Sequence, residues 1–424
     1  MERLLIEGGK PLTGTLRVSG AKNSALALIA GTLLGEGVTT LSNVPHLLDV
    51  KIIAEVLESL GAKATLSEGE LRVDATNVNN HVAPYDLVTK MRASFFVLGP
   101  ILARMGKAKI PLPGGCAIGS RPVDLHLKGL RALGATVNIE HGFVEAIAEK
   151  LYGANIYLDY PSVGATENIM MAATLADGQT VIENCAQEPE IVDLADMLNA
   201  MGADVRGAGT ERIVINGVPK LHGCDHEVIP DRIEAGTYMM AAAITRGELT
   251  LQKIRLDHMQ AVVSKLTEMG VLIHPIDANT CIVKAPEDLK PVDIRTLPYP
   301  GFPTDLQAPV MALLATIDGT SMISETVFEN RFLHVDELLR MGANIKTEGN
   351  AAVIQGTRRL TGAPVRATDL RAGAALIIAG MAAEGETSIG GLHHIDRGYE
   401  NLEAKLNAAG GTLKRSQVAD PLLV

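Results

Sequence analysis

The sequence predicts an α/β protein of two domains, each assembled from three copies of one mixed unit, and three observations carry that prediction. Six times an amphipathic helix pattern runs into a glycine and then into an alternating strand pattern. Each copy also contains a second helix pattern that is apolar nearly all round, which places it inside rather than on the surface. The chain of 424 residues is too long for one ordinary core. Its repeat exceeds the ~20–50 residues typical of solenoids, so two compact groups of three units are expected.

In chain order the amphipathic copies read "IIAEVLESLGAKATL", "LHLKGLRALGATVNI", "VDLADMLNAMGADVR", "VVSKLTEMGVLIHPI", "VDELLRMGANIKTEG" and "LEAKLNAAGGTLKRS". Their first glycines are Gly61, Gly134, Gly202, Gly270, Gly342 and Gly410, spaced 73, 68, 68, 72 and 68 residues apart. A glycine at that point suits a helix C-cap, where the left-handed conformation carries no side-chain clash. The alternation that follows, as in "LRVDA" and "RIVING", reads as half-buried strand. The apolar helices read "SALALIAGTLLGEG", "SFFVLGPILARMG", "NIMMAATLADG", "GTYMMAAAITRG", "QAPVMALLATIDG" and "GAALIIAGMAAEG". They are expected at the centre, with sheets wrapped around them. The division should fall between the third and fourth copies, near "HEVIPDRIE". The opening residues are expected to pair back with the second half, because the last unit ends at the C-terminus and needs neighbours.

Composition narrows the function classes. The formal net charge is -11 and aromatics are 3% of residues, which argues against a nucleic-acid binder and leaves few stacking platforms. The N-terminus has no signal-peptide pattern, and apolar runs of about ten residues are too short to span a bilayer. Four cysteines, Cys116, Cys185, Cys224 and Cys281, give no disulfide framework and suit a reducing, cytoplasmic setting. No P-loop or Rossmann glycine pattern is present. The run His222, Cys224, Asp225, His226 has no metal-ligand spacing, and the adjacent His393 and His394 are expected on opposite faces of a strand. No metal and no cofactor are expected.

Charged residues recur where the apolar helices begin: Lys22 with Asn23, Arg92, Asp305, and Asp369 with Arg371, followed by Arg331 and Arg397. Lys22 opposes the helix-dipole preference for acids, so it is either solvated or shares an anion with backbone N–H groups. Taken together, cations and helix N-termini from both halves fit a small polyanionic substrate. The loop "PGGCAIGSRPVD" sets Cys116 after two glycines and near Arg121. There it is either a small turn residue or a thiol of lowered pKa acting as proton donor or nucleophile.

The motifs "SGAKNSAL", "TKMRAS", "PGGCAIGSRPVDLH", "SVGAT", "ENCAQEPEIVD", "PDRIEAGT", "FPTDLQA", "ETVFENRFLHV", "ATDLRAGAAL" and "HIDRGYENLE" occur in order along nearly the whole chain. On them the sequence resembles the enolpyruvyl transferase family, the EPSP-synthase-like enzymes. The resemblance implies two inside-out α/β barrel domains of three βαβαββ-type repeats each. Residues 22–229 would form one, and 1–21 with 230–424 the other, with the active-site cleft between them. The implied reaction moves the enolpyruvyl group of phosphoenolpyruvate to the 3'-hydroxyl of UDP-N-acetylglucosamine and releases phosphate, opening peptidoglycan synthesis. It implies no obligate protein partner, and sensitivity to a cysteine-alkylating epoxide phosphonate.

The resemblance also assigns residues. Lys22, Arg121 and Arg397 bind phosphate, Arg331 and Arg371 clamp the carboxylate, and Cys116 protonates C3. Asp305 is the base or orienting carboxylate at the sugar hydroxyl, Asp369 lies near the reacting centre, and Asn23 contacts the sugar. Asn23 also belongs to the phosphoenolpyruvate set. Arg92 supports substrate binding. Arg121, Pro122, Val123, Asp124 and Leu125 hold uridine, Ser162, Val163 and Gly164 lie around the diphosphate, and Val327 is a further nucleotide-sugar contact. Glu188 and Glu190 stand behind these. Tyr160 and Pro161 depart from the family pattern, where some members carry a basic residue. The alternatives are the related transfer to shikimate 3-phosphate, whose enzymes lack such a cysteine loop, and a non-catalytic nucleotide-sugar binder.

Overall fold

The computed structural model describes residues 2–113, 123–357 and 359–417. Among these, one compact unit holds residues 20–113 and 123–229, and the other holds 2–19 and 230–417. Each unit has its own hydrophobic core.

The first unit is built on the inner helices α1 (Lys22–Gly31), α2 (Leu98–Met105) and α3 (Val163–Ala173). The second is built on α4 (Arg232–Ile244), α5 (Gln307–Leu314) and α6 (Leu370–Ala382). Their sequences carry no polar stripe, and α5 is buried at all eight positions. α5 packs on both α4 and α6, so these three form the centre of the second unit. A fully buried Leu or Met there contributes about 1.5–3 kcal/mol. Before α2 and α5 the chain runs as 3-10 turns, Arg92–Val97 and Thr304–Leu306. The cause is a proline early in each helix, Pro100 and Pro309, which has no N–H and crowds the carbonyl four residues back.

Outside these helices, the described residues form three four-stranded mixed sheets in the second unit, and in the first two such sheets, a three-stranded antiparallel sheet and a two-stranded parallel pair. A representative runs Asn155–Tyr157, Gln179–Glu183, Arg212–Asn216, Asp204–Arg206, with the first pair parallel and the others antiparallel. Chain order through it is strand, helix, strand, helix, hairpin, which is the βαβαββ repeat. The same order recurs in the sheet Ile294–Arg295, Gly319–Ser324, Ala351–Gly356, Asn344–Glu348. Alternate residues face the core, as with buried Leu71 and Val73 on strand Glu70–Asp74.

The N-terminal strands complete sheets of the second unit. Glu2–Glu7 lies between Glu386–Gly390 and Leu413–Gln417, with Leu4 opposite Ile389 and Arg415. Thr13–Arg17 pairs in parallel with Glu248–Gln252. In the first unit, Asp225–Glu227 closes the sheet begun by Val38–Ser42. Chain division falls at Ser19/Gly20 and Ile229/Pro230.

One local expectation is corrected. His393 and His394 lie in the short helix Leu392–Ile395, not on a strand, and their rings are 4.0 Å apart rather than on opposite faces.

Candidate active site

In the first unit, Lys22 is the first residue of α1, and its Nζ sits 2.7 Å from Asp49 Oδ2. Asp49 belongs to the first turn of helix Leu48–Ser59, where a carboxylate is favoured, and its side chain is 2% exposed. The lysine is therefore a half-buried, paired cation rather than a freely solvated one. Asn23 next to it is exposed. Behind α1, Asp193 accepts from Ser24 Oγ and from His226 Nε2 at 2.7 Å, and the Ile229 backbone N–H reaches it at 3.3 Å.

Arg92 opens the 3-10 turn before α2 and faces the buried His126. Burial, and after it the Arg92 charge, lowers the His126 pKa to about 3, so this imidazole is neutral. It is held by Asn168 Nδ2 at 3.1 Å, and its ring meets Phe95 edge-on at 5.3 Å. Ser162 caps α3 by accepting from the Ala165 N–H. Val163 and Gly164 follow, half-buried, and a Cβ at Gly164 would stand 3.1 Å from Phe96 and 3.2 Å from His126. Val123 is buried at the entry to helix Asp124–Ala132, Asp124 is exposed and Leu125 half-buried. Glu188 and Glu190 lie at the start of helix Pro189–Ala200 and face the fully buried Glu167. Burial, then Glu190 and Glu188, push the Glu167 carboxyl well above the usual carboxylate range. Cys116, Arg121 and Pro122 lie outside the described residues.

The second unit brings Asp305, Arg331 and Arg371 together. Asp305 Oδ1 accepts from Arg331 Nη2 at 2.7 Å, and Oδ2 from Arg371 Nη2 at 2.9 Å. The guanidinium side chains are 4% and 5% exposed, the carboxylate 25%. Burial disfavours the Asp305 charge, but Arg371 and then Arg331 outweigh it and hold the carboxyl well below its ordinary range. Phe328 and Tyr399 back the two guanidiniums, with ring centroids 5.4 and 5.5 Å away. Asp369 caps α6, accepting from the Arg371 and Ala372 N–H groups at 2.8 and 3.0 Å. That bond fixes the start of the helix that carries Arg371. His334 is buried and feels the charges of both Asp369 and Arg331. Burial, opposed by Asp369 and reinforced by Arg331, lowers its pKa to about 4. Arg397 is half-buried, next to Asp396, which Arg415 grips with both terminal nitrogens.

The sequence reading missed Glu325. This carboxylate is 2% exposed and accepts from Thr296 Oγ1 (2.8 Å), Thr304 Oγ1 (2.9 Å), Val327 N (2.8 Å) and Phe328 N (3.2 Å). It ties the turn bearing Asp305 to the loop bearing Val327, and Thr304 in turn accepts from Arg331 Nη1 at 3.0 Å. Its position in "ETVFENRF", just ahead of Arg331, was the available signal. Asp49 was missed too, because an acid in the first turn of an amphipathic helix is ordinary. The remaining thiols offer no such chemistry: burial pushes Cys185 and Cys281 up to about 11.

A family profile described as EPSP synthase (3-phosphoshikimate 1-carboxyvinyltransferase) matches residues 6–406. UDP-N-acetylglucosamine 1-carboxyvinyltransferase 2 of Carboxydothermus hydrogenoformans is 58% identical, covering 98% of this chain and 99% of that one. UDP-N-acetylglucosamine 1-carboxyvinyltransferase of Gloeobacter violaceus is 57% identical, covering 99% of this chain and 91% of that one. Among solved structures, the enolpyruvyl transferase NikO from Streptomyces tendae superposes with TM-score 0.90 at 27% identity, covering 99% of each chain. EPSP synthase from Acinetobacter baumannii has the same fold, with TM-score 0.77 at 19% identity, covering 98% of this chain and 100% of that one.

Proposed function

The chain belongs to the EPSP synthase family, and on that premise we propose that it transfers the enolpyruvyl group of phosphoenolpyruvate to the 3'-hydroxyl of UDP-N-acetylglucosamine, releasing phosphate. The observation that carries this acceptor is the end-to-end match, 54–58% identical, to relatives named for that reaction. The reaction serves peptidoglycan synthesis. No helix among the described residues is long and apolar enough to cross a membrane, and the cytoplasm, where both substrates are made, is the setting of this reading.

The roles follow from charge and proton traffic. Arg331 and Arg371 hold the carboxylate of the three-carbon acid, and Lys22, Arg121 and Arg397 hold its phosphate. Fixed guanidiniums stabilise such an anion without reorganising during reaction. Cys116 gives a proton to C3, which leaves C2 electron-poor. The sugar oxygen bonds to C2 while Asp305 takes its proton. C3 then loses a proton, the C2–O bond to phosphate breaks, and the double bond returns in the product. Asn23, Arg92, Val123, Asp124, Leu125, Ser162, Val163, Gly164 and Val327 position the nucleotide sugar, with Glu188 and Glu190 behind them.

A phosphate-release assay with phosphoenolpyruvate and either acceptor tests this directly. Release with UDP-N-acetylglucosamine and none with shikimate 3-phosphate is expected. The reverse pattern would transfer the chain to the shikimate branch of its family, and silence with both would make it a binder.

A further inference from the structure

The two arginines read as the carboxylate clamp already hold a carboxylate. Asp305 spans them symmetrically, one oxygen on each, at 2.7 and 2.9 Å. We propose that Asp305 is an internal stand-in for the carboxylate of phosphoenolpyruvate, which displaces it from Arg331 and Arg371 and thereby frees it to act on the acceptor hydroxyl. The proposal rests on the enolpyruvyl-transfer reading and adds an order to it: the base exists only once the donor is seated.

Three features support the exchange. Two guanidiniums buried to this degree need a counter-charge, because an unpaired buried charge is strongly destabilising. Among the described residues, Asp305 is the acid within ion-pair distance of both. Second, the clamp is fixed independently of Asp305. Arg331 is held by Thr304 and stacked on Phe328, while Arg371 lies over Tyr399 and starts a helix capped by Asp369. Removing Asp305 therefore leaves the cations in place to receive another carboxylate. Third, the clamp has unused donors: Arg331 Nε and Arg371 Nη1 are buried with no hydrogen-bond partner. An incoming carboxylate can engage these first and then take the Nη2 positions, so the cations are never without an anion.

The exchange also resolves a conflict of roles. A carboxylate pinned by two cations, its pKa depressed, is a poor proton acceptor. Once the substrate carboxylate takes its place on the arginines, Asp305 loses both charge-assisted hydrogen bonds and regains basicity. Among the described residues, the further groups that act on its arginines are Tyr399 and Asp231 at Arg371 and the neutral His334 at Arg331. None supplies a further cation to hold it.

The test is the affinity of Asp305→Asn and Asp305→Ala for phosphoenolpyruvate, by calorimetry with and without UDP-N-acetylglucosamine, beside the wild-type protein. With the internal competitor gone, both variants should bind at least about tenfold tighter, although neither turns over. A merely structural role for Asp305 predicts the opposite sign. Unchanged or weaker binding in both variants, with unfolding midpoints showing an intact fold, overturns the exchange while leaving wild-type phosphate release untouched. Absence of wild-type phosphate release with either acceptor overturns the transfer reading and the exchange with it.

Discussion

At the scale of single residues, the site depends on carboxyl groups whose environments push them in opposite directions. Asp305 is kept ionised by Arg371 and Arg331, whereas burial, with Glu190 and Glu188, pushes the Glu167 carboxyl upward. Asp305→Ala should therefore abolish phosphate release while the circular dichroism spectrum stays native, and wild-type turnover in that variant would remove Asp305 from the chemistry. Glu167 makes a different prediction, through linkage. Its folded pKa lies above its unfolded value, so its contribution is fully present below the unfolded carboxyl range of ~4.3 and is lost as pH rises. The isosteric Glu167→Gln carries no such penalty. Its stability relative to wild type should rise as pH climbs above the unfolded carboxyl range of ~4.3 in denaturant titrations. A difference that stays flat as pH rises would show that the fold does not raise the Glu167 carboxyl.

At the scale of elements, the repeat glycines are the clearest case of sequence dictating backbone. Gly61, Gly134, Gly202, Gly270, Gly342 and Gly410 all have positive φ, between 86° and 102°. At Gly410 a Cβ would meet nothing within 4 Å, so Gly410→Ala isolates the backbone strain and should cost about 1–2 kcal/mol. At Gly61 the same atom would lie 2.7 Å from the Asn77 carbonyl oxygen, so Gly61→Ala should cost clearly more. Equal shifts in the two denaturation midpoints would show that the Asn77 loop yields freely. These glycines and the apolar inner helices were legible because each rests on a local rule: a left-handed cap in one case, a missing polar face in the other. Charges at the mouths of those helices were legible for the same reason, since a charge interrupting an apolar run stands out. Glu325 and Asp49 did not stand out, because their importance lies in partners far along the chain. Nor did the ion pairs of Lys22 and Asp305, since a sequence names two charges without saying that they touch.

At the scale of the whole molecule, strand pairing is the least local feature. Glu2–Glu7 is an interior strand of the sheet that also holds Glu386–Gly390 and Leu413–Gln417, and Thr13–Arg17 edges the sheet of Glu248–Gln252. Deleting residues 2–19 should therefore strip hydrogen-exchange protection from those three partner strands, while the sheets within 20–229 keep theirs. Loss of protection across both units would mean that the first depends on the second for its stability. The same pairing constrains how the protein is made. The alternating segment "ERLLIE" is translated long before its neighbours Glu386–Gly390 and Leu413–Gln417. At ~5–20 residues per second it waits on the order of tens of seconds with both edges bare. Meanwhile residues 20–229 are already complete and free to fold. The nascent chain thus carries an unsatisfied β-strand through most of its synthesis, where a chaperone would have its longest opportunity to bind.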